Sequence, residues 1–315
     1  MYKKVIRLPF FNIKNKNIYY LDKYKYLNLR NSTLSETLKS KVLIDEGIIV
    51  DKKSINKKIK NPKNILVIEP HPDDAVLSAG ALVLKYISNG SKIIVLNIFS
   101  RTSINNFAWK DKLKLSEDDL EHLRITESQI AIEKYLGATF VSLGLPLSTL
   151  RGKKIFSNSN KEKKLTDNIS KIVVDTIMKN KIDIVVGPSA IQVHIDHLVT
   201  YDAIINAYAS SKQHFNLILY EDIPYSRNKF EYSERIKNIQ TQLKFDYIYL
   251  SVTRDKLDIM ADLAIIYRSQ FDDINRKQML SLIKEDLRAN AYSYNKMHNK
   301  KTHLVQNYIR VKGLL

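Results

Sequence analysis

Cysteine is absent from this chain of 315 residues. Disulfides, thiolate metal sites and cysteine nucleophiles are therefore excluded together, and any metal must rest on His, Asp or Glu. Glycine and proline are scarce, at eight and seven residues, and no Gly/Ser- or Pro-rich linker or internal repeat divides the chain. The start, Met1 to Phe11, lacks an apolar run long enough for a signal peptide, and no later stretch approaches a membrane span, so a cytoplasmic protein is expected. Acidic residues are outnumbered, 33 Asp and Glu against 51 Lys and Arg, which leaves a formal charge of +18. The excess is uneven: residues 1–60 hold 15 Lys/Arg against 5 Asp/Glu, interleaved with Tyr19, Tyr20, Tyr24 and Tyr26. Such a segment could attract nucleic acid, anionic lipid or an acidic substrate. No nucleic-acid fold signature accompanies it, which argues against a nucleic-acid partner and for a lysine-biased solvated face.

What is present is the composition of a globular protein, 44% hydrophobic and 27% charged. A chain of this length removes about three quarters of its unfolded surface from water, enough for a full α/β core. After the Lys/Asn-rich stretch 52–64, strands and helices alternate. The apolar run Asn64–Glu69 stops at Pro70 as a buried parallel strand does, and Asp73–Ser88 predicts a helix closed by Asn89-Gly90. Strand Lys92–Phe99, helix Ser116–Leu136, strand Ala138–Leu143, helix Lys164–Lys179, strand Ile182–Val186, helix His194–Ala209 and strand Asn216–Tyr220 follow. A further strand is expected at Tyr247–Val252, with helices over Asp255–Tyr267 and Arg276–Tyr292. This rhythm predicts an α/β, Rossmann-like, mostly parallel sheet with helices on both faces. Residues 1–60 read as a separate basic N-terminal element, and residues 61–315 as the main domain.

Two short segments carry chemistry. Pro70-His71-Pro72-Asp73-Asp74 joins the first strand to the first helix, and His194-Ile195-Asp196-His197 opens the helix after the Ile182–Val186 strand. Ligands in open α/β sheets collect beyond the carboxyl ends of strands, where both segments fall. His71 and Asp74 can face one ion across a turn, and His194 and His197, three apart, share a helix face. Catalytic zinc takes three such ligands and keeps one position open. Four candidate ligands plus Asp73 are one acid more than a closed site needs, and a hydrolase requires that surplus as a base. Each segment alone reads as structure, the first as a turn with an aspartate capping a helix; together at neighbouring strand ends they point to a metal site. A nucleotide-binding protein would need a Gly-rich turn after the first strand, where this chain has two carboxylates.

At these residues the chain resembles the PIG-L/LmbE-like zinc-dependent N-acetylglucosaminyl deacetylases. Pro70–Asp74 resembles their first signature and His194-x-Asp196-His197 their second. Arg124-x-x-Glu127, Asp183–Pro188, Tyr220–Tyr225 and Tyr267-Arg268-Ser269-Gln270 also match family habits, so the likeness covers about residues 62–275. The resemblance implies that residues 61–315 form a deacetylase domain that hydrolyses an N-acyl, in the first place N-acetyl, amide of a small-molecule amino sugar or glycoconjugate. It implies His71, Asp74 and His197 as ligands of Zn2+, with Fe2+ as another divalent choice. Asp73 would be the general base, His194, protonated, the partner of the oxyanion, and Asp196 the orienter of the histidines. Two departures stand out: Ala75 follows the aspartates where many members carry Glu, and Leu147 replaces a frequent Asp. Arg101, Arg151 and Tyr225 are the candidate substrate contacts, the arginines for a phosphate or carboxylate. Rival expectations are an amidase for peptidyl, thiol-conjugate or antibiotic-like amides, and a non-catalytic binding module recruited through residues 1–60.

Overall fold

The computed structural model describes residues 63–103, 116–155, 159–191, 194–211, 215–271, 274–298 and 304–315. The basic segment 1–60, with its tyrosines, lies outside the described residues, as do His214 and His303.

Seven strands form one sheet in the order β3-β2-β1-β4-β5-β7-β6: β1 Asn64–Glu69, β2 Lys92–Arg101, β3 Thr139–Pro146, β4 Ile184–Pro188, β5 Asn216–Tyr220, β6 Leu243–Ser251 and β7 Val305–Leu314. Strands β3 through β5 are parallel, whereas β7 runs antiparallel to both β5 and β6. The helices are α1 Asp74–Leu77, α2 Gly80–Ser88, α3 Glu117–Ser128, α4 Lys163–Asn180, α5 Ile195–Ser210, α6 Lys229–Gln240, α7 Arg254–Ala264, α8 Arg268–Phe271 and α9 Arg276–His298. The expected α/β architecture, a mostly parallel sheet flanked by helices, is the one observed.

Two buried cores explain the layering. In β1, Ile65 and Val67 enter one core with residues of α2, α7 and α9, while Leu66 and Ile68 enter the other with residues of α4 and α5. Side chains alternate across a strand, so an unbroken apolar run is what a strand covered on both faces requires. The chain winds outward from β1 to β3 and then returns to place β4 against the other side of β1, with Ile65 opposite Ile184 and Val67 opposite Val186. Between β1 and β4 the winding reverses, and a crevice opens beyond their carboxyl ends.

Several elements differ from expectation. The helix expected over Asp73–Ser88 is broken into α1 and α2 at Ser78-Ala79. Gln306 and Tyr308 of β7 supply the hydrogen bonds that the break leaves open: Gln306 Nε2 donates to the carbonyls of Leu77 and Ser78, its Oε1 accepts from Ala81 N–H, and the Tyr308 hydroxyl accepts from Leu82 N–H. Gly80 lets α2 pack closely on α7, since a Cβ there would lie 3.1 Å from Met260. Helix α3 starts on a Ser116–Asp119 capping box and passes into a π-helical turn over Gln129–Tyr135. No helix of the described residues is long and apolar enough to cross a membrane.

Candidate active site

Both signature segments sit at the switch point, His71 to Asp74 after β1 and His194 to His197 at the start of α5 after β4. One ring nitrogen from each of His71, His194 and His197 lies within 4.8 Å of the other two. Asp74 joins them: its Oδ2 is 3.6 Å from His197 Nε2 and also accepts the His71 backbone N–H at 2.9 Å.

The imidazoles are oriented by carboxylates. His71 Nε2 lies 3.0 Å from Asp196 Oδ2, and His197 Nδ1 lies 2.6 Å from Asp222 Oδ1. Each carboxylate takes the N–H of its histidine, so the opposite ring nitrogens, His71 Nδ1 and His197 Nε2, are left with lone pairs that face one another at 3.3 Å. Two acceptors do not attract each other; a proton or a cation must sit between them. Bond lengths of about 2.0–2.1 Å place tetrahedral zinc ligands roughly 3.3 Å apart, so the separations of His197 Nε2 from His71 and Asp74 fit one ion. Without a metal, burial works against a charged His197, but the Asp74 and Asp222 carboxylates outweigh it and push the imidazole up to about 9.

His194 is engaged differently. Its Nδ1 accepts the Asp196 backbone N–H at 3.2 Å and caps α5. Burial, reinforced by the imidazoles of His71 and His197 beside it, pushes its own imidazole down to about 2. It is therefore neutral, with its proton on Nε2, in place of the protonated ring expected from sequence. Asp73 has φ 116° and makes no capping hydrogen bond. Desolvation, followed by the Asp74 charge, holds its carboxyl well above the usual range against the pull of Arg124 and His197.

Of the residues expected at the rim, Arg151 is turned inward. Its guanidinium donates to Asp196 Oδ1 at 2.8 Å, Glu162 Oε2 at 2.8 Å and the Pro146 carbonyl at 2.6 Å, and it lies over the Phe99 ring. It braces Asp196, and through Asp196 the His71 ring, instead of facing a substrate. Arg101 remains at the surface beside Glu117 and Asp118. The Tyr225 ring stands edge-on to His197 at 6.3 Å. Arg124 and Glu127 are buried and meet the late motif: Glu127 accepts from the backbone and hydroxyl of Ser269, and the Gln270 amide, oriented to suit its donors, accepts from Arg124 Nη2 at 3.1 Å.

Asp222 is the residue that sequence reasoning missed. Its Oδ2 accepts from Ser189 Oγ and the Ile191 N–H, so both oxygens are engaged. Its position two residues past β5, beside β4, was the available signal.

Residues 66–208 match the family PIG-L, GlcNAc-PI de-N-acetylase. A 2'-N-acetylparomamine deacetylase of Streptomyces fradiae is 25% identical over 215 residues, 66% of this chain and 74% of that protein. The chain is also similar to a deacetylase in the biosynthesis pathway of teicoplanin, at TM-score 0.64 and 20% identity over 80% of this chain and 98% of that one. The zinc inhibited form of teicoplanin deacetylase superposes at TM-score 0.63, again at 20% identity with 80% and 98% covered. At that identity the structural likeness speaks for the fold alone, and the matched segment spans both signature motifs. Over residues 66–208, the segment that holds both signature motifs, the chain is similar to the PIG-L family of de-N-acetylases.

Proposed function

We propose that the chain removes an acetyl group from the nitrogen of an amino-sugar-containing substrate, using a divalent cation, zinc first, held by His71, Asp74 and His197. The single observation that supports this most is the facing pair of ring nitrogens, each fixed from behind by a buried carboxylate. A cation bound there supplies Lewis acidity, which polarises the amide carbonyl and makes a water a better nucleophile near neutral pH. Asp73 takes the proton of the attacking water, a role that suits a carboxyl whose burial beside Asp74 raises its basicity. The Nε2–H of neutral His194 donates to the carbonyl oxygen as negative charge gathers on it, an effect worth roughly 3 kcal/mol for one donor. Protonated Asp73 then returns its proton to the departing amine nitrogen, so that water and amide leave as acetate and amine. Tyr225, whose ring stands beside His197, and Arg101, at the carboxyl end of β2, are the proposed substrate contacts. The name of the Streptomyces fradiae relative, a 2'-N-acetylparomamine deacetylase, supports an N-acetylated compound of that kind as one form of the substrate.

The test is mass-spectrometric detection of acetate released from N-acetylglucosamine, UDP-N-acetylglucosamine, N-acetylglucosaminyl-phosphatidylinositol and 2'-N-acetylparomamine, with one equivalent of added zinc. Asp73→Asn is expected to keep its zinc and lose about 10²–10⁴-fold in turnover, and His197→Ala to lose both. A full zinc equivalent on His197→Ala, read by atomic emission, would overturn the ligand set; wild-type turnover by Asp73→Asn would overturn the base.

A further inference from the structure

A helix begins with N–H groups that have no partner in the helix itself, and aspartate at the N-cap position ordinarily accepts one of them, from the second or third residue. Asp73 holds that position on α1 without doing so. Elsewhere in this molecule Ser116, His194 and Asn228 each cap the helix they precede. The N–H groups of the turn from Asp74 to Leu77 are nevertheless all satisfied. Asp74 N–H donates to the His71 carbonyl at 3.3 Å, and those of Val76 and Leu77 donate to the Asp73 carbonyl at 3.0 and 2.9 Å. The remaining one, Ala75 N–H, donates to Glu69 Oε2 at 3.0 Å. Glu69 is the last residue of β1 and is wholly buried beneath the turn. It therefore fills from below the place that the Asp73 side chain would otherwise take.

We propose that Glu69 is the positioning residue of the general base: by accepting the Ala75 N–H it releases the Asp73 carboxylate from capping duty and leaves it facing the crevice. This rests on Asp73 as the base. Asp73 sits at φ 116°, a backbone conformation that costs on the order of 1–3 kcal/mol outside glycine and persists only where the surroundings hold it. Without Glu69, rotation of the Asp73 side chain onto Ala75 N–H would satisfy the helix start and withdraw the carboxylate from the water.

Two variants separate this role from support of the fold. Glu69→Leu removes the acceptor and Glu69→Gln keeps one. With the most rapidly deacetylated substrate of the four-member panel, Glu69→Leu is expected to lower kcat about 10–100-fold at unchanged KM and zinc content, and Glu69→Gln to recover most of the loss. In the Asp73→Asn background Glu69→Leu should cause no further loss, because both changes act on one group. A readout free of substrate and metal is thermal unfolding of the metal-free chain. There Asp73→Ala should lower Tm by about 2 °C more in the Glu69→Leu background than in the wild type, since the aspartate has become the cap. Equal Tm shifts in the two backgrounds, a fully additive kcat loss, or lost zinc would overturn the proposal; should Glu69→Leu be insoluble, Glu69→Ala runs the same cycle. If Asp73→Asn turned over at the wild-type rate, the base assignment would fall, while the unfolding cycle would still report whether Glu69 and Asp73 compete for the cap.

Discussion

His197 meets Asp222 through one ring nitrogen and the other histidine through the second. The carboxylate fixes both the tautomer and the ring plane, which together decide whether Nε2 offers a lone pair to an ion. Asp222→Asn can present either its amide oxygen or its NH₂ to the ring, and it loses the negative charge that strengthens the ligand. Loss of such a supporting carboxylate typically costs 10–100-fold in metal affinity, and that range is expected here in a competition titration with a chromophoric chelator. Zinc affinity equal to wild type would show that His197 is held by packing alone. This residue also marks how far the site could be read beforehand. His71, Asp73, Asp74, His194 and His197 fall in two compact segments with chemistry-bearing spacing. Asp222 comes from another strand end, and only the folded sheet brings it under those segments, whereas Glu69 directly precedes the first segment and reads in sequence as one more residue of the strand.

At the scale of elements, Gly187 of β4 is a point of close approach between the sheet and α5, the helix that bears His197. A Cβ built there falls 2.3 Å from Ile204 Cδ1 on α5. Gly187→Ala should therefore push the helix or force Ile204 off its rotamer, at about 1–3 kcal/mol by urea denaturation. Ile204→Val, which removes the clashing atom, should recover much of that in the double variant; failure to do so would place the constraint in the backbone. Patterning made the first five strands and α4, α5 and α7 legible, because apolar runs and 3.6-residue stripes follow from burial on two faces. Strand β7 and helix α6 were not legible. In β7, Gln306 and Asn307 are buried beside Val305 and Tyr308, so the polar residues that satisfy the broken α1–α2 junction mask the strand's apolar pattern. In α6 few side chains enter the core, chiefly Ile236 and Ile239, too few for a stripe.

For the whole molecule, the antiparallel extension by β7 and β6 buries a carboxyl that links folding to pH. Glu221, one residue past β5, is 3% exposed and accepts from the Tyr232 hydroxyl at 2.6 Å. Burial pushes its carboxyl up to about 7 from the ordinary 4.5, against the hydrogen bonds of Tyr232 and Asn307. Between those values the folded chain holds a proton that the unfolded chain has released, so stability falls as pH rises. Below about 4.5 both states are protonated and the contribution is fully present; above about 7 the folded state must carry a buried charge, and the loss amounts to about 3 kcal/mol. Glu221→Gln keeps an acceptor for Tyr232 and has nothing to titrate. Its unfolding free energy should therefore fall less than that of the wild type between pH 5 and pH 8, with the two curves separating as pH rises. Parallel curves across that window, followed by urea titration at each pH, would mean that the folded chain accommodates an ionised Glu221 without cost, for instance by admitting water to the β5–β7 edge.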